Sequence, residues 1–224
     1  YVPQLYASTA EIIEVARAVG RRGGLYATHM RNEGVGLLDA IIEAYTIGKE
    51  SGCRVEVSHL KSSGVPAWGL ARRAVDLIEA LSARFDISAD AYPYTATATS
   101  LSVVLPKWAR EGGAKKIVER LQNPDTVEKI VRDLERVGLF EERYIDWSQI
   151  AISWSPSHRE TEGKTLDRVA QEWGLDPVRA LIRILIDDNA STGAIFHTLN
   201  EDDVMYVLKS PVVAVGSDGS VRRF

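Results

Sequence analysis

"YATHMRNEGVG", residues 26–36, decides how this chain is read. A short β-prone run ends on His29 and opens at once into a polar loop that reaches Gly34. "VEVSHLKSSG", residues 55–64, repeats the event: an alternating strand ends on His59, followed by Lys61 and a Ser-Ser-Gly turn. A third run, "VVAVGSD", residues 212–218, ends on Asp218. Alternate residues of a strand share a face. Leu25, Ala27 and His29 therefore form one row, Cys53, Val55, Val57 and His59 a second, and Val212, Ala214, Gly216 and Asp218 a third. In each row the polar group comes last, which places it at a strand's carboxyl end, where α/β barrels keep their chemistry. Adjacent strands lie about 4.8 Å apart, so two imidazoles and a carboxylate can converge on one cation. Such a donor set suits zinc or a related divalent metal. Against this, a single strand-end histidine is most often structural, and GSDG alone is a common turn.

Outward from these strands the chain alternates. "ASTAEIIEVARAVG", residues 7–20, has Ser8 three residues before Glu11, a capping-box spacing, and then helical periodicity. Residues 36–52 carry Leu37, Leu38, Ile41, Ile42 and Tyr45 on one stripe, which predicts a helix closed near Gly52. Residues 67–83 predict a third helix, and "DISADAYPY", residues 86–94, a third strand. Strand and helix in turn predict right-handed crossovers and a parallel sheet. After Tyr94 the rhythm breaks. Residues 95–150 hold a Thr/Ser-rich turn, Trp108 and two helices, the second capped by Asn123 with Pro124 at its first position, and are read as a lid-like insertion. Residues 1–94 and 151–224 are assigned to the main fold, the latter through strand candidates "IAISW" and "AIFHTL", a helix capped by Asp176 and another capped by Asn200.

The totals exclude several classes. Net charge is −4, with no basic face for nucleic acid. No apolar run approaches the roughly 18 residues of a membrane span, and no signal peptide is visible. Cys53 is the sole cysteine, so no internal disulfide can form; the expected location is cytoplasmic. The chain begins at Tyr1 and stops just past a strand, from which a piece of a longer protein is expected.

"YATHMRNEG", "SHLK", "ADAYPYTA" and "GSDG", in this order and with 30 residues between His29 and His59, resemble the N-acyl-D-amino acid deacylase (D-aminoacylase) family of the amidohydrolase superfamily. The resemblance runs from about Leu5 to Asp218. It implies an α/β fold, the C-terminal part of a (β/α)8 barrel with a lid-like helical insertion. It also implies a zinc-dependent hydrolase that cleaves N-acyl-D-amino acids to a carboxylate and a free D-amino acid. By the same resemblance His29 and His59 bind metal on the fifth and sixth strands, and Asp218 closes the eighth strand as metal ligand and general base. Lys61 binds the substrate's carboxylate, and Tyr92 polarises the scissile carbonyl.

The chemistry is coherent without the family. A divalent metal lowers the pKa of water towards about 7. Asp218 can carry a proton from that water to the leaving amine, Tyr92 can donate to the oxyanion, and Lys61 can pair with a carboxylate. Cys53 lies six residues back from His59, roughly 20 Å along a strand, and is assigned to the core. His158 is read as an exposed loop residue, His197 as structural, Tyr94 and Trp108 as packing aromatics. Arg31, Asn32 and Glu33 are read as ordering the loop beneath the metal or as solvated loop residues.

The resemblance also implies a His-x-His pair and a cysteine ligand upstream of Tyr1, a flanking β-sandwich outside this segment, and a substrate-binding arginine beyond the last residue. The segment by itself is therefore expected to bind zinc poorly and to be inactive or nearly so. Its two unpaired sheet edges are expected to favour homo-oligomers. The competing readings are a hydantoinase-like cyclic-amide or dipeptide amidohydrolase, and a non-catalytic barrel fragment or assembly module.

Overall fold

The computed structural model describes residues 4–138 and 145–219. They divide into two compact units, one running to Thr95 and resuming at Leu199, the other comprising Ala96–Thr198.

The first unit is the α/β part. Helix α1 (Thr9–Gly20) starts on the expected capping box: Ser8 Oγ accepts from the Glu11 amide, and the Glu11 carboxylate accepts from the Ser8 amide at 2.7 Å. Strand β1 (Leu25–Thr28), helix α2 (Leu37–Ser51), strand β2 (Arg54–Val57), helix α3 (Leu70–Ser82) and strand β3 (Ile87–Ala91) follow. Helix α2 ends at Gly52 with φ 76°, the left-handed conformation glycine adopts without penalty. A Cβ on Gly48 would lie 2.2 Å from Val55 Cγ2, so glycine is what lets α2 press onto β2.

The chain then builds the second unit. It holds β4 (Thr97–Ser100), α4 (Lys107–Arg110), α5 (Gly113–Leu121), α6 (Pro124–Val137), β5 (Ile150–Trp154), α7 (Leu166–Trp173), α8 (Pro177–Asp187) and β6 (Gly193–Phe196). Asn123 caps α6 through its side chain with Pro124 in the first turn, and Asp176 caps α8 with Pro177 likewise. The chain returns to the first unit through α9 (Glu201–Val207), capped by Asn200, and β7 (Val213–Val215).

The first unit's four strands are all parallel, in the order β1-β2-β3-β7. Tyr26, Val55 and Ile87 lie side by side, as do Thr28, Val57 and Ala89. Val55, Val57, Ile87 and Ala89 are buried in one core with Ile41 and Ala44 of α2 and Val75 and Ile78 of α3. The opposite face carries Leu25 and Ala27, then Arg54 and Glu56, then Ser88 and Asp90.

The second unit's strands are antiparallel, in the order β4-β6-β5. Here the structure departs from the expected division, in which residues 151–224 return to the main fold. "IAISW" and "AIFHTL" are strands, but both pair within the sheet that β4 opens, so the second unit extends to Thr198. A short apolar run does not encode whether its partner runs parallel or antiparallel, which is why the boundary was misplaced. No helix among the described residues is long and apolar enough to cross a membrane.

Candidate metal centre

His29 follows β1 directly, and its ring meets that of His59 edge to face, with centroids 4.5 Å apart at 75°. His29 Nδ1 and His59 Nε2 face one another at 2.7 Å. The two rows predicted from alternation cannot bring this about alone. Thr28 pairs with Val57, so strict alternation would put His29 on the polar face and His59 on the helix-covered face. His59 instead takes φ 42°, a conformation rare outside glycine, and turns out of the core. Leu60 occupies the helix-side position, 3% exposed.

Behind His59 lies a charged cluster. Glu33 Oε1 is 2.9 Å from His59 Nδ1 and 2.7 Å from Lys61 Nζ. Lys61 Nζ also donates to the His59 carbonyl at 2.8 Å and lies 2.9 Å from His59 Nδ1. Its side chain is 7% exposed and that of Glu33 14%, so these charges can exist only because they hold each other. Burial works to raise the Glu33 pKa, but the Lys61 ammonium, the His59 hydrogen bond and the charge of the two imidazoles outweigh it, bringing it to about 2. Burial lowers His29 to about 4; Glu33 opposes this, while His59 and Lys61 add to it. His29 is thus suited to the neutral, lone-pair form that binds a cation.

Among the described residues, His29, Glu33 and His59 are the one group of three or more His, Cys, Asp or Glu whose ligand atoms lie within 4.8 Å of one another. Glu33 is nevertheless better placed to orient His59 than to ligate. A proton on Nδ1 donated to Glu33 leaves the Nε2 lone pair facing His29 Nδ1, the carboxylate–histidine arrangement that backs many metal ligands. Two nitrogens on a tetrahedral zinc, at 2.0–2.1 Å each, stand about 3.3 Å apart. The pair here is closer, at hydrogen-bonding distance, and would open by roughly 0.6 Å to accept the ion. The donor set fits zinc, though with two ligands it is incomplete.

Tyr92, 8% exposed, follows β3; Lys61 Nζ lies 5.4 Å from its ring centroid, and the ring stacks on Tyr94 at 5.8 Å. Lys61 thus lies beside both His59 and Tyr92. Asp218 is exposed, three residues beyond β7, with φ 49°, and is not a member of the close group. Cys53 is buried, its thiol donating to the Ala16 carbonyl at 3.3 Å, which is a core role. His158, expected to be exposed, is held by Asp187 at 2.7 Å and Glu160 at 3.3 Å, with its side chain 14% exposed. The residue sequence reasoning underrated is Glu33. Its signal was present: it lies four residues after His29, in the same loop.

No family model matches the chain. Relatives do. D-aminoacylase of Alcaligenes xylosoxydans xylosoxydans is 32% identical over 219 residues, and N-acyl-D-aspartate deacylase of the same organism 32% identical over 220. Each match covers 98% of this chain and 36% of the relative, so the chain spans about a third of their length. A crystal structure of D-aminoacylase, described as defining a novel subset of amidohydrolases, superposes with a TM-score of 0.71 at 32% identity. N-acyl-D-glutamate deacylase of Bordetella bronchiseptica, complexed with zinc and a phosphonate mimic of the tetrahedral intermediate, gives 0.72 at 30% identity. Both cover 98% of this chain and 37% of the solved one. Over nearly its whole length, the chain's α/β fold thus matches structures of amidohydrolases. Within that class the kinship, over nearly all of this chain, is with D-aminoacylase and the other N-acyl-D-amino acid deacylases.

Proposed function

We propose that this chain supplies the C-terminal half of a (β/α)8 barrel in a zinc-dependent amidohydrolase that cleaves N-acyl-D-amino acids. The observation that carries the reading is the pair of ring nitrogens, His29 Nδ1 and His59 Nε2, facing each other at the carboxyl ends of adjacent parallel strands. Four parallel strands with intervening helices are what half of such a barrel requires, and the outer edges of β1 and β7 are where further strands would pair.

His29 and His59 would hold the ion. When bound, it supplies Lewis acidity, making water acidic enough to attack an amide near neutral pH. Glu33 keeps the proton of His59 on Nδ1 and so keeps Nε2 available. Asp218, at the end of β7, takes the proton of the attacking water and delivers it to the leaving nitrogen. The Tyr92 hydroxyl donates to the carbonyl oxygen as it gains charge. Lys61 pairs with the substrate's α-carboxylate, which selects N-acyl amino acids over simple amides. Its ammonium donates to Glu33 Oε1 and to the His59 carbonyl, which leaves a third N–H for the substrate. The proton on His59 Nδ1 that favours zinc also removes that nitrogen as an acceptor for Lys61.

Two measurements test this. Calorimetry on this chain should give weak, roughly micromolar zinc binding that His29→Ala and His59→Ala each abolish. Affinity unchanged by both substitutions would overturn the assignment. The longer protein carrying this chain should hydrolyse one enantiomer of N-acetylmethionine and leave hydantoin untouched; the reverse preference would favour the cyclic-amide reading.

A further inference from the structure

The backbone around His59 contains a one-residue slip. In a parallel ladder each amide on one strand reaches the next strand at intervals of two residues. Val55 donates to the Asp86 carbonyl at 2.9 Å, so the next but one in register should be His59 to Asp90. Instead Leu60 donates to the Asp90 carbonyl, at 2.7 Å. On the other side β2 stays in step with β1, Ser58 donating to the Thr28 carbonyl at 3.0 Å. His59 is thus an extra residue, wedged where β2 leaves β3, with its amide displaced from the ladder. That amide is taken up by the Asp90 side chain: Oδ1 accepts it at 2.8 Å.

We propose that Asp90 is a positioning residue for the metal centre. It accepts Leu60 with its main chain and His59 with its side chain, and so fixes the slip that turns the His59 ring from the helix-covered face towards His29. Without the carboxylate, the His59 amide would be buried with its ladder partner already taken by Leu60. The cheapest repair is to restore register. Restored register sends His59 into the core position of Leu60 and separates the two rings. The feature that matters is an oxygen acceptor at Oδ1, which asparagine shares and alanine lacks.

The inference rests on the proposed metal role of His29 and His59, and its test has one readout that does not. In the metal-free chain, the His59 amide should be protected from hydrogen exchange, and the two imidazole rings should give a through-space NMR contact. Asp90→Ala should lose that contact and weaken zinc binding about 10- to 100-fold, while Asp90→Asn keeps the contact and binds zinc within about twofold of the original. A ring contact that survives Asp90→Ala, an Asn variant as impaired as the Ala variant, or an unprotected His59 amide in the unsubstituted chain would each overturn the proposal. If the unsubstituted chain binds no zinc but its ring contact still depends on Asp90, the metal reading fails and the positioning role stands.

Discussion

In the parallel-sheet unit, buried charges gather at strand ends and hold one another: Lys61 and Glu33 pair beside His59, and Asp90 takes the His59 amide. In the antiparallel unit, the most buried carboxylate among the described residues is spent on the scaffold. Asp188, 2% exposed, accepts from Ser155 Oγ and Thr192 Oγ1, each at 2.7 Å, and from the Ser157 amide at 2.8 Å, closing a loop with no titratable partner among the described residues. Around it lies one continuous apolar cluster that includes Leu101, Ile130, Ile152, Leu181 and Phe196. A buried acid among neutral donors rigidifies; a buried acid shared between an ammonium and an imidazole can change partners. The first unit gathers its buried charges into one cluster, and the second spends its buried acid on packing.

The sharpest way to break this comparison is in the second unit's core. Phe196 is fully buried, and Phe196→Ala should cost about 3–5 kcal/mol in urea unfolding. Zinc affinity at His29 and His59 should change by less than about twofold if the two units are energetically independent. Next, Asp188→Ala strands three donors and should destabilise by about 2–4 kcal/mol.

The two units should also differ in acid. His29 has its folded pKa depressed to about 4 from 6.5, so the unfolded chain takes up its proton first, and the first unit loses stability as pH falls from about 6.5 to about 4. Glu33, depressed from 4.5 to about 2, adds stability above 4.5 that is lost as pH falls towards 2. In the second unit, burial raises the Asp188 pKa, but its hydrogen bonds to Ser155, Thr192 and Ser157 prevail and lower it, so its contribution is present above the ordinary aspartate range and disappears only below it. Methyl NMR of Ile41 against Ile152 during acid titration should show the first unit loosening at the higher pH; simultaneous loss would contradict the contrast.

A smaller effect is expected of Glu33→Gln, which keeps the shape but weakens the hold on His59 and Lys61: zinc affinity should fall about tenfold. Smallest of all, Glu14→Ala removes an exposed partner of Arg17 and should change stability by less than about 0.5 kcal/mol.

Much of the scaffold was legible because its signals are local. The Ser8–Glu11 box, Asn123-Pro124, Asp176-Pro177, Asn200 and Gly52 each mark a helix end through groups a few residues apart. Strand-end histidines were legible too, since an apolar row ending in imidazole needs no partner to be noticed. What escaped depends on neighbours distant in sequence. The face of His59 turns on Asp90, 31 residues away, and Glu33 acquires its role from Lys61, 28 residues on. The direction of β5 and β6 is set by β4, which no pattern inside those runs reveals.

Strand β7 lies beside β3 in the sheet, yet β3 ends at Ala91 and β7 begins only at Val213. A ribosome adding 5–20 residues per second would need roughly 6 to 24 s to span that gap. Throughout that time β3 presents bare amides and carbonyls to whatever is nearby. Because Thr97 pairs with Phe196, the folded 96–198 unit brings the two ends of its own segment together and so shortens the loop that β7 must close to reach β3 once it is made.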